Sequence, residues 1–332
     1  MKALILNEPG RIEDNPLKYT ELPEPEPEAG ELLIKVSACG VCHTDLHTVE
    51  GDITPPSYPV VPGHQVVGTV QSTGEGVSNF ASGDRVGLAW LRSVCGHCTY
   101  CLSGRENLCD SIRFNGFHAN GGYAEYVTAP SDFVYRIPES FSDVESAPLL
   151  CAGIIGYRSL VLSNANKGDK LALYGFGASA HVTIQVAKHN GCEVYVFSRS
   201  EAHLELAKEL GAVWTGSLPE TPDVLMNSSI IFAPAGDIVP EALRLTAPGG
   251  TVVTAGIYMS QIPPIDYAEH LYHEKTLRSA TNSTRQDGTE LLELAAKIPI
   301  KTNVQTFQLK DANEVLLMLK RGGIQGAGVL VI

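Results

Sequence analysis

An α/β protein of two domains is what this 332-residue sequence predicts. Three observations carry that expectation. The first 150 or so residues read as short strands punctuated by Gly and Pro. From about Leu150, strands alternate with helices of about a dozen residues, the rhythm of βαβ units on a parallel sheet. A G-x-G-x-x-A turn joins the first such strand to its helix, which points to a doubly wound, dinucleotide-binding sheet.

The opening MKALILNEPGR has one early lysine and a short apolar run, too short for a signal peptide, and reads as a first strand. LPEPEPEAGE, from Leu22 to Glu31, reads as an extended, proline-fixed surface connection with solvated glutamates. ELLIKVSA and HQVVGTV read as strands of the β-rich part. In the second part DKLALYG is a buried strand, ASAHVTIQVAKHN a helix, CEVYVFS the next strand, and SEAHLELAKELG a helix ended by Gly211. SSIIFAP, VPEALRLTAPGG, TVVTAGI and KTLRSAT continue the alternation. The tail holds helix-like TELLELAAK, strand NVQTFQL, helix DANEVLLMLKRG and strand AGVLVI, and reads as a return to the first domain.

Composition narrows the function classes. Hydrophobic residues at 44% and charged residues at 18% suit an ordinary globular core. A formal net charge of −13 argues against nucleic acid or an anionic membrane as partner. No apolar run approaches the roughly 18 residues of a membrane span, and the expected location is the cytoplasm. In that compartment eight cysteines point to metal or catalysis rather than to disulfides.

Cys95, Cys98, Cys101 and Cys109 are spaced C-x2-C-x2-C-x7-C. Two-residue gaps let successive thiolates turn onto one ion, and four sulfurs close a tetrahedral zinc shell with no room for substrate, so the role is structural. An iron–sulfur cluster would accept the same four residues. His97 falls between ligands and reads as a bystander. The remaining ligand candidates are Cys42, His64 and Cys151, two thiolates and one imidazole, which leave a fourth position open as a catalytic zinc requires.

Gly175, Gly177 and Ala180 form the G-x-G-x-x-A turn, whose glycines let backbone approach a pyrophosphate at a helix N-terminus. At the end of the following strand stand Ser198, Arg199 and Ser200, where an NAD site would carry a carboxylate. A guanidinium there suits a 2′-phosphate, so NADP(H) is favoured and NAD(H) is the alternative, with Arg199 then merely solvated.

In order along the chain, CGVCHTDLH, GHQVVG, the four-cysteine lobe, PLLCAG and the glycine turn resemble the zinc-dependent medium-chain alcohol dehydrogenases over essentially the whole length. That resemblance implies a GroES-like β-barrel catalytic domain (1–151 and 282–332, with a structural zinc lobe at about 92–112) interrupted by a Rossmann domain (152–281). It implies that Cys42, His64 and Cys151 bind a catalytic zinc, two zinc ions per chain in all. The activity it implies is reversible hydride transfer between a primary or secondary alcohol and NADP(H) through a zinc-bound alkoxide. Thr44 resembles the family's relay hydroxyl and His47 its terminal base, an imidazole suited to the task by its ordinary pKa near about 6.5. Asp45 matches the carboxylate that orients His64, and His43 a contact to the pyrophosphate. As a plainer reading, His43 and His47 are surface histidines and Thr44 a structural hydroxyl.

The chain departs from the family in two places. Gln65 stands where most members have glutamate after the ligand histidine, and the C-terminal GGIQGAGVLVI lacks an arginine that some relatives use on the pyrophosphate. Trp90 matches an aromatic that narrows the alcohol pocket, or is a core tryptophan beneath the zinc lobe. Ile53 replaces a tryptophan of the yeast-type enzymes, which implies a wider pocket open to longer aliphatic or benzylic alcohols. Cys39 and Cys192 read as small core residues. An NAD-dependent alcohol or polyol dehydrogenase is the nearest rival, and a non-catalytic protein keeping the fold is the reading from another class. By analogy with relatives the chain is a homo-oligomer, tetramer or dimer.

Overall fold

The computed structural model describes residues 1–298 and 300–332. It divides into two compact units, Met1–Cys151 with Thr284–Ile332, and Ala152–Ser283. Strands β1 (Lys2–Leu6), β2 (Leu17–Glu21) and β3 (Glu31–Gly40) lead into helix α1 (His43–Glu50). Next come β4 (Gln65–Thr73), β5 (Arg85–Leu88), β6 (Leu91–Ser93), α2 (Thr99–Leu102), β7 (Arg113–Phe114), β8 (Tyr126–Pro130), β9 (Val134–Arg136) and α3 (Asp143–Ser146). The second unit runs α4 (Ala152–Ser163), β10 (Lys170–Tyr174), α5 (Ala178–His189), β11 (Glu193–Phe197), α6 (Glu201–Glu209), β12 (Trp214–Gly216), β13 (Met226–Ile231), α7 (Ile238–Arg244), β14 (Thr246–Thr254), α8 (Tyr267–His270) and β15 (Thr276–Ser279). The chain closes on α9 (Arg285–Lys297), β16 (Val304–Gln308), α10 (Ala312–Lys320) and β17 (Ala327–Val331).

In the first unit one sheet has the order β16-β17-β3-β4-β5-β9, with β8 also on β3. The C-terminal strand β17 pairs antiparallel with β3, setting Leu330 opposite Cys39, so the tail does complete the N-terminal sheet. Leu32, Ile34 and Val36 of β3 alternate into the core, where Val66 and Val70 of β4 meet them. Cys39 is fully buried there.

The second unit is a six-stranded parallel sheet in the order β12-β11-β10-β13-β14-β15. The order reverses between β10 and β13, and ligands of such sheets bind at that switch point, beyond the carboxyl ends of the strands. A ladder of rings, Tyr174 stacked on Phe197 at 4.4 Å and Phe197 against Trp214 at 4.8 Å, packs one face across β10, β11 and β12. Two helices of eight or more residues, α1 and α4, had no counterpart in the sequence reading, nor did the short α2, α3 and α8. The first is capped by a cysteine, and the second is apolar on most sides, so neither shows an ordinary amphipathic signature.

Helix α5 buries His181 completely. Its Nδ1 lies 3.3 Å from the Gly177 carbonyl, Nε2 has no partner among the described residues, and burial lowers its pKa from 6.5 to about 4. The folded chain therefore resists a proton that the unfolded chain accepts. The contribution of His181 to stability is fully present above about pH 6.5 and is expected to be lost with acid, by about 3 kcal/mol at pH 4. His181→Leu is expected to lose correspondingly less stability between pH 7 and pH 4.5 in urea unfolding. An unchanged difference between the two pH values would refute this assignment.

Candidate active site

Strand β3 ends at Gly40, and two residues later Cys42 becomes the N-cap of α1. The cap is reciprocal: the Thr44 backbone N–H points at Cys42 Sγ (3.5 Å), while Asp45 Oδ2 accepts the Cys42 N–H at 3.0 Å. Asp45, 2% exposed, has further donors. Its Oδ1 accepts His64 Nδ1–H at 2.9 Å and the Gly63 N–H at 3.2 Å, and Oδ2 accepts the Tyr123 hydroxyl at 3.2 Å. Gly63 is left-handed (φ 96°), and a Cβ there would collide with the Tyr123 ring, so glycine is needed just before His64.

With Nδ1 committed to Asp45, His64 presents Nε2 to the thiols. Nε2 lies 3.2 Å from Cys151 Sγ, and Cys42 Sγ lies 3.9 Å from Cys151 Sγ. The three donor atoms all fall within 4.8 Å of one another. Tetrahedral zinc with S at about 2.3 Å and N at about 2.0 Å requires separations of about 3.8 Å for S···S and about 3.6 Å for S···N. The donor set fits one ion, with one position open. The hydrogen bond with Cys151 and the nearby His64 hold the Cys42 thiol well below its usual range. At His64 burial works downward, but the Asp45 carboxylate and Cys42 together outweigh it and raise the imidazole to about 10. Metal binding displaces such protons, so affinity rises with pH.

Thr44 is buried on the first turn of α1, and His47 follows on the next turn. His47 Nδ1 is 2.8 Å from Asp52 Oδ2, a partner the sequence reading missed. Gly51, left-handed at φ 84°, ends α1 and turns Asp52 back toward His47. Ile53 is half-buried there and donates its N–H to the His47 carbonyl at 3.3 Å. His43 is an exposed residue whose ring lies 6.4 Å from that of His47. Gln65 is buried against Gly40, where an added Cβ would come within 3.0 Å of it. Trp90 is half-buried, its ring 6.0 Å from the His64 ring and stacked on Phe114 at 3.9 Å.

The four lobe cysteines form a second group with all four sulfurs within 4.8 Å. Cys95 to Cys101 is 3.9 Å and Cys98 to Cys101 is 3.5 Å, again close to the edges of a zinc tetrahedron. Backbone N–H groups of His97 and Cys98 stabilise a Cys95 thiolate and lower its pKa to about 6. The exposed His97 ring bonds to the Cys95 carbonyl at 2.8 Å and offers nothing to the cluster. Glu106 within the lobe receives Arg285, first residue of α9, through Nη2 at 2.7 Å and through the Arg285 backbone N–H at 2.8 Å.

In the second unit Gly175 (φ 88°) turns the chain from β10 toward α5, and a Cβ on it would stand 3.0 Å from the Ala233 nitrogen. Above Gly177 the space is open, and Ala180 is buried. Beyond β11, Ser198 donates its N–H to the Gly216 carbonyl at 3.0 Å, Arg199 is exposed, and Ser200 caps α6.

Two family models match the chain, an alcohol dehydrogenase GroES-like domain over residues 28–139 and a zinc-binding dehydrogenase over 180–297. A probable alcohol dehydrogenase, AdhA, of Mycobacterium tuberculosis is 44% identical, the match covering 100% of this chain and 97% of that protein. An alcohol dehydrogenase of Geobacillus stearothermophilus is 38% identical over 99% and 98%. A solved NAD-dependent alcohol dehydrogenase superposes with a TM-score of 0.92 at 26% identity, over all of both chains.

Proposed function

Because this chain belongs to the medium-chain zinc alcohol dehydrogenases, we propose that it interconverts a primary or secondary alcohol and its carbonyl compound at the Cys42–His64–Cys151 cluster, with NADP(H). The observation that carries this is the three-donor cluster of tetrahedral spacing, two thiols and one imidazole, with a fourth position left open. Cys42, His64 and Cys151 would hold a zinc ion, which supplies Lewis acidity to an alcohol or carbonyl oxygen. The nicotinamide supplies the hydride acceptor or donor.

The chain's own groups do the rest. Asp45 fixes the His64 tautomer and carries its share of negative charge into the site. Thr44 sits at the start of a route by which the hydroxyl proton leaves, and His47 ends it near the surface. Asp52 Oδ2, 2.8 Å from His47 Nδ1, orients that imidazole. Trp90 walls the alcohol side, and Ile53 leaves room for longer aliphatic or benzylic substrates. The four-cysteine lobe would take a second, structural zinc. The assembly is a homo-oligomer in the cytoplasm.

For the cofactor, Gly175, Gly177 and Ala180 open α5 toward a pyrophosphate. Arg199, flanked by Ser198 and Ser200, stands where the adenosine 2′ substituent is read, and no carboxylate stands among those three. The rival reading, NAD(H), draws on the NAD-dependent enzyme of similar structure. Initial rates with NADPH and NADH over a panel of aldehydes separate them. NADPH is expected to be the better donor, and Arg199→Ala to cost about tenfold in its KM while leaving NADH nearly unchanged, the size of one charged hydrogen bond. Preference for NADH would overturn the role given to Arg199.

A further inference from the structure

Behind Trp90 lies a turn that the proposed chemistry does not use. Trp90 stacks on Phe114 with the planes 11° apart, and Phe114 is the last residue of the short strand β7. The chain then folds back at once. His118 donates its backbone N–H to the Phe114 carbonyl at 2.9 Å, and the Phe114 N–H is donated to His118 Nδ1 at 3.1 Å. One backbone peptide bond and one imidazole thus grip Phe114 from both sides. The rings also meet, with His118 to Phe114 at 5.5 Å. Because Nδ1 accepts, the imidazole is neutral with its proton on Nε2.

We propose that His118 is a positioning residue for alcohol specificity: its neutral ring holds the 113–119 turn so that Phe114 backs Trp90 beside His64, and thereby sets how bulky a substrate the site admits. The inference rests on the alcohol dehydrogenase reading above. Protonation gives Nδ1 a hydrogen that faces the Phe114 N–H, and two donors cannot bond, so acid releases the turn. Burial first, and then the Arg113 guanidinium on the same turn, keep the imidazole below its ordinary value. Arg113 holds the His118 carbonyl at 3.1 Å. Arg92, on the facing strand β6, bonds to Asn115 and is paired with Glu31. Burial and the Arg113 guanidinium thus favour the neutral, bonding form.

Two readouts test this, one independent of turnover. The chain has two tryptophans, so Trp214→Phe leaves Trp90 as the fluorescent reporter of the stack. In that zinc-loaded background, Trp90 emission is expected to titrate with a midpoint below about 6.5. His118→Asn, whose amide oxygen accepts the same N–H at any pH, should abolish the titration; its persistence in the Asn variant would overturn the proposal. In the otherwise native enzyme, His118→Leu is expected to shift the kcat/KM ratio of benzyl alcohol to ethanol by about threefold to tenfold, as one net hydrogen bond would, while His118→Asn keeps the ratio. A Leu variant with the native ratio, or an Asn variant that behaves like Leu, would refute it. If no alcohol reacts while Trp90 still titrates through His118, the positioning stands and the reading of the reaction fails instead.

Discussion

Asp45→Ala is expected to weaken zinc binding by the Cys42–His64–Cys151 cluster about 10–100-fold and to destabilise the fold by about 3–5 kcal/mol. The expectation follows from what the carboxylate does. Four donors converge on it: the His64 imidazole, the Tyr123 hydroxyl and the backbone N–H groups of Cys42 and Gly63. All are inside the protein, so removing their acceptor leaves buried donors unpaired, which costs more than the lost bonds alone. It also removes the anchor that turns His64 Nε2 toward Cys151 and the side-chain half of the α1 cap. Asp45→Asn separates the two effects. It keeps the shape and one oxygen acceptor, so stability should recover in part while zinc affinity stays low. Competition with a chelating dye measures the first quantity and denaturant unfolding the second. Native zinc affinity in the Ala variant would show that His64 is oriented by something else.

Stripping zinc from the four-cysteine lobe is expected to unfold residues 92–112 and expose them to protease. The lobe has little apolar core of its own. Leu102 is 77% exposed and Leu108 39% exposed. A four-thiolate zinc site contributes an apparent binding free energy on the order of 10 kcal/mol, which is then the main term holding this segment. The loss also reaches α9, because Glu106 sits between Cys101 and Cys109 and accepts both the side chain and the backbone N–H of Arg285. Cys98→Ser is therefore expected to give rapid cleavage within the lobe and a lower melting temperature, seen by limited proteolysis and calorimetry. A Ser variant as resistant as the parent would contradict a metal-held lobe.

Much of this architecture was legible in the residues because its signals are local. The parallel sheet shows in the regular alternation from DKLALYG onward, and the cysteine spacing and the glycine turn each span only a few residues. Local signals fail where the geometry is made by distant segments. Asp45 and Tyr123 are 78 positions apart, and only the packing of the β-rich unit brings the hydroxyl to the carboxylate. Glu106 and Arg285 are 179 apart and meet because the chain returns to the first unit. Helix α1 escaped notice for a different reason. Its capping box uses Cys42 in the place usually taken by Ser, Thr, Asp or Asn, so the metal-ligand pattern masked a helix start. Asp52 lay within reach of inspection, five residues beyond His47, but its pairing depends on the left-handed Gly51 that reverses the chain.

The central claim is that one open three-donor site carries the reaction and that the lobe holds a second, separate zinc. Its most direct test counts zinc per chain and measures NADPH-driven aldehyde reduction on the same preparations of the parent and of Cys151→Ala. The account predicts two zinc ions and turnover in the parent. In the variant it predicts one zinc ion, and turnover lower by about a thousandfold or more, since Lewis acidity is worth several kcal/mol in such reactions. A Cys151→Ala protein that keeps two zinc ions, or that reduces aldehydes at the parent's rate with one, would contradict it.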